Sequence, residues 1–127
     1  MPKLTISSSL RYTDLIRKLI ADLSNHGIKA VFPNLDSGVK KEDVDLAFMK
    51  KLEADHFLAI DDCTALYVIC PEGKVGTLVS VEIGYATAKN KPVIFSEVPE
   101  DLGLQAMSSI YLALNELEEI KNFINNT

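Results

Sequence analysis

Apolar residues fall in two modes that alternate along the chain: short runs rich in β-branched and aromatic residues, and longer stretches in which they recur at spacings of three and four. The first mode reads as buried strands and the second as amphipathic helices. Lys3-Leu4-Thr5-Ile6 is the first strand, and beyond Ser7-Ser8-Ser9-Leu10-Arg11 the residues Leu15, Ile16, Leu19, Ile20 and Leu23 mark the first helix. Asn25-His26-Gly27 closes that helix, with Gly27 at the left-handed cap and His26 in the last turn as a cap residue. Lys29-Ala30-Val31-Phe32 is a second strand broken by Pro33, and positions 34–42 have the glycine and alternating charges of a surface loop.

From 42 to about 60, Val44, Ala47, Phe48, Leu52 and Ala59 repeat at helical spacing, and His56 shares the inner stripe of Phe48 and Leu52. Asp61-Asp62 then turns the chain into Ala65-Leu66-Tyr67-Val68-Ile69-Cys70, the expected central strand. The stretch 71–77 carries Gly73 and Gly76 and opens a helix over 78–86, which Asn90 and Lys91 close before a fourth strand, Pro92-Val93-Ile94-Phe95. Positions 96–105 read as a loop with one helical turn, and 108–111 as a brief fifth strand. Asn115 reads as the cap of a last helix with Leu117, Ile120, Phe123 and Ile124 on its inner face.

Five strand-helix units in a single domain over 1–127 predict an α/β fold. The expected form is a flavodoxin-like or Rossmann-like three-layer sandwich whose five-stranded parallel sheet has the order 2-1-3-4-5. In that order ligands sit beyond the strand carboxyl ends, between strands one and three, where Ser7 to Arg11 and Gly73 to Glu82 converge.

A chain of 127 residues has room for one core and one site. A net charge of −5 with scattered lysines argues against a nucleic-acid polymer as partner. No run is long enough to cross a bilayer, and the apolar stretch after Lys3 is too short for a signal-peptide core, so a cytoplasmic protein is expected. Cys63 and Cys70 flank one strand too far apart to bridge, which predicts two reduced, buried thiols.

The chemistry centres on Glu82. It lies four residues after Leu78 and three before Tyr85, on a helical stripe that offers it no cation. A carboxylate so placed is paired from elsewhere in the fold, protonated, or kept for chemistry; Arg11 is the candidate ion-pair partner. Gly73 and Gly76 are expected to take backbone angles closed to other residues and to admit a ligand to the main chain, beside a helix N-terminus that favours anionic groups. Three serines and Arg11 at the mouth of the first helix suit a phosphate or ribose hydroxyl as readily as simple capping. His56 is a packed core residue or, next to a carboxylate, an acid or an orienter.

Ile6-Ser7-Ser8-Ser9-Leu10-Arg11, His56-Phe57-Leu58-Ala59-Ile60 and, above all, Gly76-Thr77 through Val81-Glu82-Ile83-Gly84-Tyr85-Ala86 with Lys91-Pro92-Val93-Ile94 resemble the nucleoside 2-deoxyribosyltransferase-like superfamily over most of the chain. The resemblance implies cleavage of an N-glycosidic bond, with Glu82 as the nucleophile at the anomeric carbon and neither metal nor organic cofactor. It implies Ser7, Ser9 and Arg11 at the phosphate of a nucleoside monophosphate, with Lys74 adding charge beside Gly73, Gly76 and Thr77, and a homodimer whose partner contributes to the site. Serine replaces the family's tyrosine at the end of the first strand, His56 stands at its upstream catalytic aspartate, and Gly76 replaces the acid or serine before the nucleophile helix. Helix topology is expected to place His56 toward the opposite end of the sheet.

Two classes of function follow: a nucleoside or nucleotide glycosidase or (deoxy)ribosyltransferase using Glu82 and His56, and a non-catalytic nucleotide or sugar-phosphate sensor. A phosphoacceptor receiver domain is excluded, because its acidic pair follows strand one and Asp61-Asp62 precedes strand three.

Overall fold

The computed structural model describes residues 2–38 and 41–127, with the backbone alone at 41. Five strands, β1 (Lys3–Ser7), β2 (Lys29–Val31), β3 (Ala65–Val68), β4 (Val93–Phe95) and β5 (Ile110–Tyr111), form one sheet in the order β2-β1-β3-β4-β5, and every pairing is parallel. The helices are α1 (Thr13–Asn25), α2 (Leu46–Asp61), α3 (Thr77–Ala88), the single turn α4 (Leu102–Gln105) and α5 (Leu117–Asn125). The predicted topology is the observed one.

The period of two along the strands divides the core. Leu4, Ile6, Tyr67 and Ile94 pack with Ile16, Leu19, Leu23, Ile120 and Ile124, so α1 and α5 cover one face. Leu66, Val68, Val93 and Phe95 pack with Ile60, Val79, Ile83 and Ala86, so α2 and α3 cover the other. On β1 this second face is hydroxylic: Thr5 Oγ1 donates to the Ala59 carbonyl at 2.8 Å, and Ser7 Oγ lies 3.2 Å from His56 Nε2. Tyr67 Oη donates to the Leu112 carbonyl at 2.7 Å inside the α1/α5 layer. Tyr67→Phe is expected to cost about 1 to 2 kcal/mol by urea unfolding, since it leaves that carbonyl buried without a donor.

The starts of α2 and α5 differ from the sequence pattern, each for a capping reason. α2 begins at Leu46 rather than near 42, because the Asp45 side chain accepts the Phe48 N–H at 2.9 Å and fixes the start there. α5 begins at Leu117 with Glu116 as the half-in residue; Glu116 Oε1 reaches back to the Ala113 N–H at 2.8 Å, and Asn115 does not cap. Of the surface loop expected over 34–42, positions 39 and 40 lie outside the described residues. Cys63 and Cys70 are both free and buried, as expected.

The loop after β3 corrects the expectation for its glycines. Gly76 has φ −77° and ψ 172°, an ordinary extended conformation, and a Cβ there would meet open space. Gly73 does need its freedom: its φ is 74°, it follows Glu72 at φ 62°, and a Cβ would fall 2.6 Å from the Val98 carbonyl oxygen. What approaches its backbone is the chain's own 98–100 segment, whose Glu100 N–H donates to Gly73 O at 2.9 Å. Gly73→Ala should therefore lose about 2 kcal/mol or more of unfolding free energy. A melt unchanged from wild type would contradict that packing.

Candidate active site

Three buried side chains meet at the carboxyl end of β1. Ser7 closes the strand, His56 comes from the third turn of α2 and Glu82 from the second turn of α3; their relative exposures are 0%, 3% and 4%. His56 Nε2 is 3.2 Å from Ser7 Oγ and 3.4 Å from Glu82 Oε1. The expectation that His56 points toward the far end of the sheet is thus overturned. α2 runs antiparallel to the strand that follows it, and the residue four before Ile60 reaches the level of the last residue of β1.

The imidazole is neutral. Burial pulls its pKa down from 6.5 to about 4, a hydrogen bond to the Ile6 backbone opposing this in part, and the Phe32 ring packs edge-on against it with centroids 5.4 Å apart. Donation to the Ile6 carbonyl leaves Nε2, the nitrogen facing Ser7 and Glu82, as an acceptor. Glu82 moves the other way: burial first, then a hydrogen bond from the neighbouring Glu53 carboxyl, push its pKa up to about 8 against the pull of the Ser7 hydroxyl. Arg11 is not its partner, and no permanent cation pairs with it among the described residues.

Glu53 is the group that sequence reasoning missed. It lies one turn before His56 on α2, and its Oε1 is buried without a hydrogen-bond donor among the described residues, while its carboxyl contacts that of Glu82. Two carboxylates offer only acceptors, so a contact between such groups favours a proton shared by the pair. The available signal was the i, i+3 relation of Glu53 to His56, which puts both on one side of a helix whose other inward residues are apolar.

Beside the carboxyl pair lies a cavity of about 380 Å³, roofed by Val44, Phe48, Met49 and Leu52 of α2 and its approach, and floored by Ser8, Ser9, Gly76, Thr77, Glu53, His56 and Glu82. It shares Ser9, Leu10, Val44, Phe48 and Leu52 with a second chamber of about 730 Å³ that also contains Arg11, Thr13 and Asn34. Of the residues predicted for the site, Glu82, His56, Ser9, Gly76 and Thr77 line the first chamber, and Arg11 lines the second, with its guanidinium 5.8 Å from the Tyr12 ring centre. Ser7 touches His56 and Glu82 from beneath. Gly73 and Lys74 stand outside both chambers, Lys74 beside Glu72 at 3.5 Å. Gly76 starts α3 without a side-chain cap, so the first N–H groups of the helix open toward the cavity. No cluster of three His, Cys, Asp or Glu side chains suited to a metal ion occurs among the described residues.

The fold, with its parallel sheet in the order β2-β1-β3-β4-β5, is shared with several solved structures. The 2-deoxyribosyltransferase of the psychrotolerant bacterium Bacillus psychrosaccharolyticus superposes with a TM-score of 0.64 at 15% identity, over 94% of this chain and 90% of that one. A conserved protein from Enterococcus faecalis V583 gives 0.63 at 17% identity over 99% and 98%. The Clostridium botulinum CMP N-glycosidase BcmB gives 0.57 at 18% over 98% and 99%. No protein-family model matches the chain, and no curated protein matches it in sequence. No helix among the described residues is long and apolar enough to cross a membrane.

Proposed function

We propose that the protein cleaves, or transfers the sugar across, the N-glycosidic bond of a nucleoside or nucleoside 5′-monophosphate, with Glu82 as nucleophile. The observation that carries this reading is a buried carboxyl on a cavity wall, paired with no permanent cation among the described residues and contacted by Ser7, His56 and Glu53, which can orient it and take up its proton. Two proteins of the same fold, a 2-deoxyribosyltransferase and a CMP N-glycosidase, support the substrate class.

In this mechanism the sugar occupies the first chamber with its anomeric carbon at Glu82, and a 5′-phosphate extends toward Ser9 and Arg11 in the second. Glu82 attacks C1′ as a carboxylate, the base departs, and the resulting glycosyl ester is resolved by water or by a second base. Neutral His56, 3.2 Å from Ser7 Oγ and 3.4 Å from Glu82 Oε1, holds the carboxyl group in line. The cavity residues Leu10, Val44 and Leu78 are exposed, which supports a homodimer closed over the mouth; elution at monomer size by gel filtration would contradict that assembly.

One observation favours a non-catalytic reading. A carboxyl that keeps its proton at neutral pH binds a sugar hydroxyl without attacking it. Incubation of the wild type and Glu82→Ala with a panel of nucleosides and their monophosphates, followed by chromatography for free base, separates the two. Base released by the wild type alone supports the enzyme. Equal traces from both, with binding of a panel member retained, leave a sensor.

A further inference from the structure

We infer that Glu53 is the catalytic acid and base of this site: the proton lodged between Glu53 and Glu82 is the one that leaves with the base. The inference rests on the glycosidic reading of Glu82 and adds to it a residue, a proton and an order of events.

Geometry carries it. Glu53 lines the same cavity as Glu82, so it can touch whatever Glu82 attacks. Its Oε1 is buried yet has no donor among the described residues, an arrangement costly for a carboxylate and natural for a group that shares or hands on a proton. The other groups facing the pair are poorly suited to the task. His56, on the same helix, is neutral with no proton to give at Nε2, Ser7 from β1 supplies a hydroxyl, and Thr77 on α3 has only a hydroxyl; Arg11 belongs to the adjoining chamber. Burial first, and then the neighbouring Glu53 carboxyl, raise the affinity of Glu82 for a proton, in the direction the pairing requires.

The shared proton settles on Glu53, leaving Glu82 as carboxylate. A Glu82 oxygen bonds to C1′ while the C1′–N bond breaks, its electron pair passing to the base, which takes the proton from Glu53 and leaves neutral. In the second half, the oxygen of water or the nitrogen of an acceptor base bonds to C1′ as the ester C1′–O bond breaks. The electrons return to Glu82 and the attacking group's proton goes to Glu53, restoring the pair.

The test is leaving-group dependence. Wild type and Glu53→Gln are assayed on the panel member cleaved best and on the matching 4-nitrophenyl glycoside, whose anion needs no protonation to depart. Glu53→Gln is expected to lose about 10²-fold or more in kcat/KM on the base-bearing substrate, to stay within a few-fold in kcat/KM on the nitrophenyl one, and to lose the basic limb of its kcat/KM profile. Glu53→Asp, which keeps the acid one methylene shorter, should recover part of the rate and the basic limb. Equal losses on both substrates, or no loss on either, would overturn the role of Glu53 while leaving Glu82 as nucleophile. A well-folded wild type inert on both substrates would remove the glycosidic reading and this inference together.

Discussion

Glu82→Gln should release base from the substrates of the wild type at least about 10⁴-fold more slowly, because it removes the atom that bonds to the sugar rather than one that assists it. Glutamine is nearly the same size, its amide can donate to Glu53, and its oxygen can accept from Ser7, so the variant is expected to fold with the cavity intact. The intact mass of the wild type during turnover should show a fraction carrying one glycosyl group, and that fraction should be missing from the variant. A variant with rates within tenfold of wild type would end the case for Glu82 as nucleophile, whatever its effect on binding.

The second large effect is on stability and follows from the opposite shifts of the two buried titrating groups. Glu82 has a folded pKa of about 8 against 4.5 unfolded, so the folded state binds more protons over that interval and its contribution is lost as pH rises from 4.5 to 8. His56 has a folded pKa of about 4 against 6.5 unfolded, so its contribution is lost as pH falls from 6.5 to 4. Below pH 6.5 the two slopes oppose each other and largely cancel. Between 6.5 and 8 only Glu82 acts, and unfolding free energy should fall by about 2 kcal/mol across that window. Urea titrations at pH 6.5, 7.2 and 8 read this directly. Glu82→Gln should be flat over the same range; a wild type equally flat would show that the carboxyl is ionised throughout and that no proton is held between it and Glu53.

The fold was legible because its information is local and periodic. Leu4 and Ile6 alternate with Thr5 and Ser7, the apolar residues of α1 recur at three and four, and each turn carries its breaker; these patterns are enough to order five strands. The start of α2 was less legible, because a run of acids from Glu42 to Asp45 offers several capping positions and only the folded backbone selects Asp45. The conformations of Gly73 and Gly76 were illegible for a related reason. Both lie in the same loop, but only the 98–100 segment, distant in sequence, decides which of them must lack a side chain.

By itself the sequence determined the order of the elements, the parallel sheet, and the presence of one acid on an apolar stripe without a local cation. Tertiary structure alone decided who meets that acid. Glu82 lies 26 positions after His56 and 29 after Glu53, and 75 after Ser7, and the pairing of β1 with β3 brings all four to the same end of the sheet. Helical and strand periods say which way a side chain faces along its own element. Whether it faces water, a hydrocarbon wall or another carboxyl is set by neighbours from elsewhere in the chain, and with it whether Glu82 is a bare charge or a shared proton.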